Sequence, residues 1–327
     1  MAKTTLRYIR SDTTRRPEAK GDDPRMGSRM VSLDGDPDPT RVGAVLLGVV
    51  CDRGVGLKGG RMGSVEGPSQ FRDQFWRLSA TAAVERGSLL DAGDLVSAER
   101  TNETHARLGE VLDVLHDRFP QARMVVVGGG HDHAYGEVLG LSRWLKNTDG
   151  NNRVGVLCID SQVHVQRHEG EAHAGTAWRR LLLEPAARLD GESLTVWGVQ
   201  RAANAETLLS FAAAQGINMV HLHEISDDVA VASDRLVTRL QQMGATHGGL
   251  SMSVDMGAFA QHLAPGVGEP LPVGVPIRPV LAAAAALGRL QQPTQLGIYE
   301  LNPRYDRDGA TARLAARIAW SYVTGLL

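Results

Sequence analysis

Short, continuously apolar runs recur along the chain, separated by stretches with helical periodicity. AVLLGVV (44–50) is the first, followed by MVVVGGG (124–130), VGVLCID (154–160), LTVWGV (194–199), NMVHL (218–222), LSMSVD (250–255) and QLGIYELN (295–302). A strand apolar on both faces must be covered on both faces, which is the condition of a parallel sheet between two helical layers. The intervening segments supply the helices: PSQFRDQFWRL with Pro68 at its first position, residues 103–117, HAYGEVLGLSRWLK, AETLLSFAAAQG, DDVAVASDRLVTRLQQMG, PVLAAAAALGRL and TARLAARIAWSYVTGLL. This alternation predicts a three-layer α/β fold whose central, mostly parallel sheet has about eight strands. The Ala282–Ala286 run reads as a tightly packed helix. The Gly-rich stretch from Asp52 to Gly67 reads as a loop. Residues 1–42 are polar and rich in Gly, Pro, Asp and Arg, and read as an extended arm before a single domain spanning 43–327.

With 43% hydrophobic and 22% charged residues, the composition is that of an ordinary soluble globule. The 35 basic and 37 acidic residues leave a net charge of −2, which points to neither nucleic acid nor an anionic membrane. Cys51 and Cys158 sit in or beside apolar runs and read as buried free thiols rather than a disulfide framework. The N-terminal segment carries no apolar core of a secretory signal, and no apolar run reaches a membrane span, so the expected compartment is the cytoplasm.

Ligands of open parallel sheets bind at the carboxyl ends of the strands. The chemically versatile residues fall at those ends. Three glycines, Gly128–Gly130, let the backbone turn sharply before His131 and His133, which places a histidine for metal coordination or simply leaves one in a turn. In DSQVH, an extended backbone puts Asp160, Gln162 and His164 on one face, where they can hold a cation or cap the strand as a polar cluster. Ser251, Ser253 and Asp255 share a face by the same rule, and only Asp255 is a good metal ligand among them. Glu300, at the end of the last strand, can pair with a guanidinium or amidinium, either a ligand's or that of a neighbouring arginine. His168 and His173 follow the second motif and could reach the site as proton shuttles. His221, His223, His247 and His262 read as structural or solvated.

These motifs, in this order, resemble those of the ureohydrolase family (arginase, agmatinase, formimidoylglutamase). GGGHDHAYG is similar to its Gly-Gly-x-His motif, DSQVH stands where the family has Asp-Ala-His-x-Asp, and SMSVD where it has Ser-x-Asp-x-Asp. The segments DDPRMGS, CDRG…GGRMGSVEGP, LLDAGDLV, EAHAGTAW and YELNPRYDRDGATARLAARIAW resemble formimidoylglutamase most. The resemblance implies an arginase-like fold, a homo-oligomer, and a centre in which two manganese ions activate a water that attacks an amidine or guanidine carbon. His131, Asp160 and Asp255 match the family's ligands. Gln162, His164 and Ser253 do not, and the altered set implies one divalent ion (Mn, Zn or Fe) on His131, Asp160 and His164, with Asp255 near or on it.

Three readings fit such a set. The first is a single-metal hydrolase of a linear amidine or guanidine on a small amino-acid-like substrate. In it Glu300 orients the cationic end, His133 or His173 moves protons, and Arg61 or Arg179 binds a carboxylate. The second is the same fold turned to another mononuclear-metal reaction, including non-haem iron chemistry. The third is a catalytically inactive sensor or partner subunit.

Overall fold

Alternate residues of each central strand feed two separate cores, one on either side of the sheet. Leu46, Val125, Val127, Leu157 and Ile159 pack into one, and Val45, Leu47, Met124, Val126 and Val156 into the other. This is the period-two alternation of a strand, here apolar on both sides. The computed structural model of the chain describes residues 5–11, 22–82, 84, 88–148 and 150–327.

The strands in chain order are β1 (Ile9–Arg10), β2 (Met30–Ser32), β3 (Ala44–Val49), β4 (Leu89–Leu95), β5 (Arg123–Val127), β6 (Val154–Ile159), β7 (Leu194–Val199), β8 (Asn218–His221), β9 (Gly249–Asp255) and β10 (Thr294–Tyr299). They form one ten-stranded sheet in the order β1-β4-β3-β5-β10-β9-β6-β7-β8, with β2 also paired to β4. β3 to β10 are mutually parallel, and β1 alone runs antiparallel, against Asp94 and Leu95. Seven of these strands, β3 and β5 to β10, are the ones read from the apolar runs, and β4 makes eight. The other two come from the polar N-terminal segment, of which residues 1–4 and 12–21 lie outside the described residues.

The helices are α1 (Arg53–Lys58), α2 (Gly67–Phe75), α3 (Thr101–Arg118), α4 (Ala134–Lys146), α5 (Ala177–Leu183), α6 (Glu206–Ala214), α7 (Val229–Thr246), α8 (Ile277–Gly288) and α9 (Ala310–Thr324). α1 corrects the reading of residues 52–67 as loop. Its two glycines weaken it as a helix, yet Gly59 in the left-handed region (φ 90°) closes its end through bonds to the Gly56 and Val55 carbonyls. α3 and α4 approach so closely that a Cβ at Gly140 would stand 2.9 Å from the Gly109 carbonyl oxygen.

β4 was not among the apolar runs because it carries Asp91 and Asp94. Both face Arg72 of α2, whose Nε and Nη2 lie 3.1 and 3.0 Å from Asp91 and whose Nη1 lies 2.7 Å from Asp94. The register against β3 also slips there, from Leu46–Asp91 to Leu47–Gly93, a bulge at a glycine with φ 92°.

Candidate metal centre

Four neighbouring strands, β5, β10, β9 and β6, each end in one polar side chain: His131, Glu300, Asp255 and Asp160 in turn. Their order in space is not their order in sequence, and the crevice opens above that crossover, where sheets of this kind bind ligands. Gly128 (φ 123°) and Gly129 (φ 64°) make the turn that brings His131 back over the sheet. A Cβ on Gly129 would sit 2.1 Å from the Cys51 carbonyl oxygen. Glu300 and His164 adopt positive φ (65° and 39°), a conformation costly for non-glycine residues and often found where a side chain must be aimed.

His131 Nδ1 lies 2.9 Å from Asp160 Oδ2 and 3.1 Å from Asp255 Oδ2. His164 Nε2 lies 2.7 Å from Asp160 Oδ2 and 3.6 Å from Asp255 Oδ2. These four buried side chains present donor atoms that all fall within 4.8 Å of one another. Ligands about 2.0–2.2 Å from an ion stand roughly 3 Å apart, so the spacing is that of a coordination shell. Asp160 Oδ2 and His164 Nε2 are close yet lack hydrogen-bond geometry towards any partner. Buried polar atoms left so are costly unless something else satisfies them, and a cation at their common focus does. The other carboxylate oxygens are tied down: Asp160 Oδ1 accepts from Gln162 N at 2.8 Å, and Asp255 Oδ1 from Gly257 N at 2.7 Å, while His164 Nδ1 likewise has no hydrogen-bond partner.

Burial opposes charge at Asp160, His131 and His164, and pairing overcomes it. Asp160 lies far below the usual carboxylate range because His164 and His131 outweigh its burial. Both histidines are raised, His164 chiefly by Asp160. Burial pushes the neighbouring Cys158 thiol up to about 12, so it stays protonated, and carboxylates rather than a thiolate stabilise charge on His131. Glu300 is raised to about 8 by burial and then by Asp255, while its Oε1 accepts from His131 N at 3.0 Å. A carboxyl group so placed ionises readily when a cation comes to meet it.

Ser253 and Gln162, expected from the sequence to stand at altered ligand positions, are engaged by other groups. Ser253 Oγ is 2.7 Å from His131 Nε2, which fixes the ring so that Nδ1 faces the carboxylates. Gln162 does not share a face with Asp160 and His164. The strand ends at Ile159, the period of two ends with it, and the turn swings Gln162 to the rim. There its Oε1 accepts from Lys58 Nζ at 2.7 Å and its Nε2 donates to Glu269 at 2.6 Å.

Other expected site residues lie elsewhere. Arg61 donates to the carbonyls of Val267 and Gly268 and stacks on Tyr305. Arg179 donates to the Val165 carbonyl and lies over Phe211. Neither guanidinium lines the crevice. His133 is fully buried and donates from Nδ1 to the Gly130 carbonyl at 2.9 Å, off the crevice wall. His173 is half-buried, accepts from Gly175 N at Nδ1, and stands next to the wall residue Ala174.

Sequence reasoning missed a second buried group: Arg180 Nη1 donates to His105 Nδ1 at 2.7 Å, and His105 Nε2 lies 2.6 Å from Asp132. Its signal was a histidine on the apolar face of α3, in line with Leu108 and Leu112. Burial pushes His105 down to about 4, so the neutral ring passes the Arg180 contact on to Asp132 and braces the His131–His133 turn. His105, Asp132 and His133 also bring donor atoms within 4.8 Å of one another, with Asp132 Oδ1 and His133 Nε2 lacking a hydrogen-bond partner, while both ring nitrogens of His105 are engaged.

Beneath His131 lies the Tyr299 ring, stacked at 5.3 Å, whose hydroxyl donates to the fully buried Glu137. Burial pushes Glu137 up to about 7 from 4.5. A raised folded-state pKa contributes stability that is full below the unfolded value and is lost as pH rises through the folded one. Glu137→Gln should therefore gain stability relative to the parent as pH goes from 5 to 8, by a few kcal/mol at most. Thermal melts at the two pH values check this; a constant difference between the proteins would refute it.

Residues 42–325 match the arginase family. The chain belongs to the arginase family. It is 32% identical over 287 residues to a formimidoylglutamase of Rhodococcus jostii, covering 86% of this chain and 85% of that protein. It is 30% identical over 297 residues to one of Geobacillus thermodenitrificans, covering 88% and 86%. Formimidoylglutamase of Bacillus subtilis superposes with a TM-score of 0.82 at 21% identity, over 99% of this chain and 98% of that one. Formiminoglutamase of Trypanosoma cruzi with Mn2+ does so at 0.78 and 24%, over 93% and 98%. The three-layer α/β architecture is thus the arginase fold, and this family member is hydrolase-like.

Proposed function

We propose that this arginase-family protein hydrolyses a C–N bond of a linear amidine, of the formimidoylglutamate type, at a centre holding one divalent ion. The observation that carries the reading is the convergence of His131, Asp160, His164 and Asp255 on one focus, with Asp160 Oδ2 and His164 Nε2 otherwise unsatisfied. Ser253 and Gln162 are committed to His131 and to Lys58 and Glu269, so neither adds to this set, and in the other buried His/Asp set among the described residues, His105, Asp132 and His133, both ring nitrogens of His105 are already engaged. Two histidines and two carboxylates suit manganese or ferrous iron, which accept more than four ligands and so keep a position for water, better than four-coordinate zinc.

When bound, the ion supplies Lewis acidity that activates water towards the amidine carbon. The chain's own groups do the rest. Glu300 meets the amidinium from the end of β10. Ser253 and the Tyr299 stack hold His131 in register. The buried floor excludes bulk water from the reacting carbon.

The test is to purify the protein without added metal, determine bound metals by elemental analysis, load each ion, and follow formamide release from N-formimidoyl-L-glutamate. About one equivalent of ion per chain with turnover is the expected result. Two equivalents would overturn the single-ion centre. Ion binding without turnover of any amidine would assign the fold to other metal chemistry, and no binding of any ion would leave a non-catalytic protein.

A further inference from the structure

The crevice has a charge gradient that the reacting centre does not need. Its floor is carboxylate-rich, with Asp160, Asp255 and Glu300 around the two histidines, and suits cations. Among the described wall residues one ammonium faces it, that of Lys58 at the end of α1. The Lys58 side chain is only 13% exposed, and its partners are weak for so buried a charge: the neutral Gln162 amide oxygen at 2.7 Å and Glu269, 45% exposed, at 3.2 Å.

An ammonium taken out of water gains most from a carboxylate that is itself desolvated. A pairing with a half-exposed carboxylate is worth little and is readily exchanged. The neighbourhood is held for such an exchange. Gln162 is anchored through its backbone N–H to Asp160, and Arg61, three residues after Lys58, clamps the Val267 and Gly268 carbonyls just before Glu269. Gln162 stands two residues from the donor Asp160, and two residues of chain span about 7 Å at most, comparable to the length of a short amino acid.

We propose that Lys58, with Gln162 as its fixed neutral partner, binds the carboxylate end of the substrate in place of Glu269, and so selects amidines built on acidic amino acids over those built on simple amines. The inference rests on the amidine-hydrolase reading for its substrate, but the anion site can be read independently of turnover.

Two measurements on the metal-loaded wild type, Lys58→Met and Lys58→Arg test it. In calorimetry with L-glutamate, which has the carboxylates and no amidine, Lys58→Met should weaken binding about ten- to a hundredfold, the usual worth of a charged hydrogen bond. Lys58→Arg should recover most of it. In kinetics, the kcat/KM preference for N-formimidoyl-L-glutamate over its dimethyl ester should fall by a similar factor in Lys58→Met, mainly through KM. If Lys58→Met keeps both the glutamate affinity and the preference, the anchor is wrong and the hydrolase reading stands. If glutamate binds through Lys58 but no amidine turns over, the anchor stands and the hydrolase reading falls. A wild type that neither binds glutamate nor distinguishes acid from ester overturns the proposal.

Discussion

Asp160→Asn should purify with essentially no bound metal and show no measurable amidine hydrolysis. Asp160 Oδ2 is the atom shared by both histidines, 2.9 Å from His131 Nδ1 and 2.7 Å from His164 Nε2. Substituting the amide removes the charge that balances a dication and keeps the size. Losing partners that merely orient ligands typically costs ten- to a hundredfold in metal affinity, so losing a direct ligand should cost more than about a hundredfold. His164→Ala should lose the ion as well, whereas Ser253→Ala, which removes only the hydroxyl holding His131 Nε2, should fall in that lesser range. Elemental analysis and metal titration read this without reference to catalysis. An Asp160→Asn protein that retains a full equivalent of ion would place the ion elsewhere and remove the centre described above. Because the change also leaves two buried imidazoles without their carboxylate, circular dichroism should accompany the measurement, and an unfolded variant would shift the test to His164→Ala.

Much of this centre could be read before any coordinates, for a physical reason. Strands buried on both faces announce themselves as unbroken apolar runs, and a polar residue at the end of such a run has few places to go but the rim of the sheet. β3, β5, β6, β9 and β10 were legible in that way, and His131, Asp160, Asp255 and Glu300 with them. What failed depended on partners distant in sequence or on backbone leaving the ladder. β4 hid because its two aspartates interrupt the apolar run and pair with Arg72, a pairing no local pattern shows. Gln162 was placed by the period of two, which holds only while the chain stays in the sheet. Lys58 was overlooked because its neighbour Glu269 lies 211 residues on and because α1, with two glycines in its six residues, has little helical signature of its own. Arg61 and Arg179 attracted attention as cations near the motifs, yet carbonyl groups and aromatic rings already occupy them.

Arg72→Met should be the most damaging substitution away from the centre. Arg72 is fully buried and meets Asp91 through two nitrogens, Asp94 through a third, and the Gly93 carbonyl at 2.9 Å. Methionine fills much of the same volume but takes two guanidinium hydrogen bonds away from Asp91, which is 3% exposed. Breaking a buried pair from one side costs about 3–5 kcal/mol, because the surviving charge keeps its desolvation penalty. In a chain of this length that corresponds to a thermal midpoint lower by roughly 4–7 °C. Lysine, a single point charge without the planar fork, cannot span both aspartates, so Arg72→Lys should recover only part of the loss. The double variant Arg72→Met/Asp91→Asn separates charge from packing. It replaces the Asp91 carboxylate with a neutral amide and keeps an oxygen for the Gly93 N–H, which now donates to Asp91 Oδ1 at 2.9 Å, so it should be more stable than Arg72→Met alone. If the double variant is instead less stable, the contribution of Arg72 lies in filling space between α2 and β4, and the electrostatic account of this strand fails.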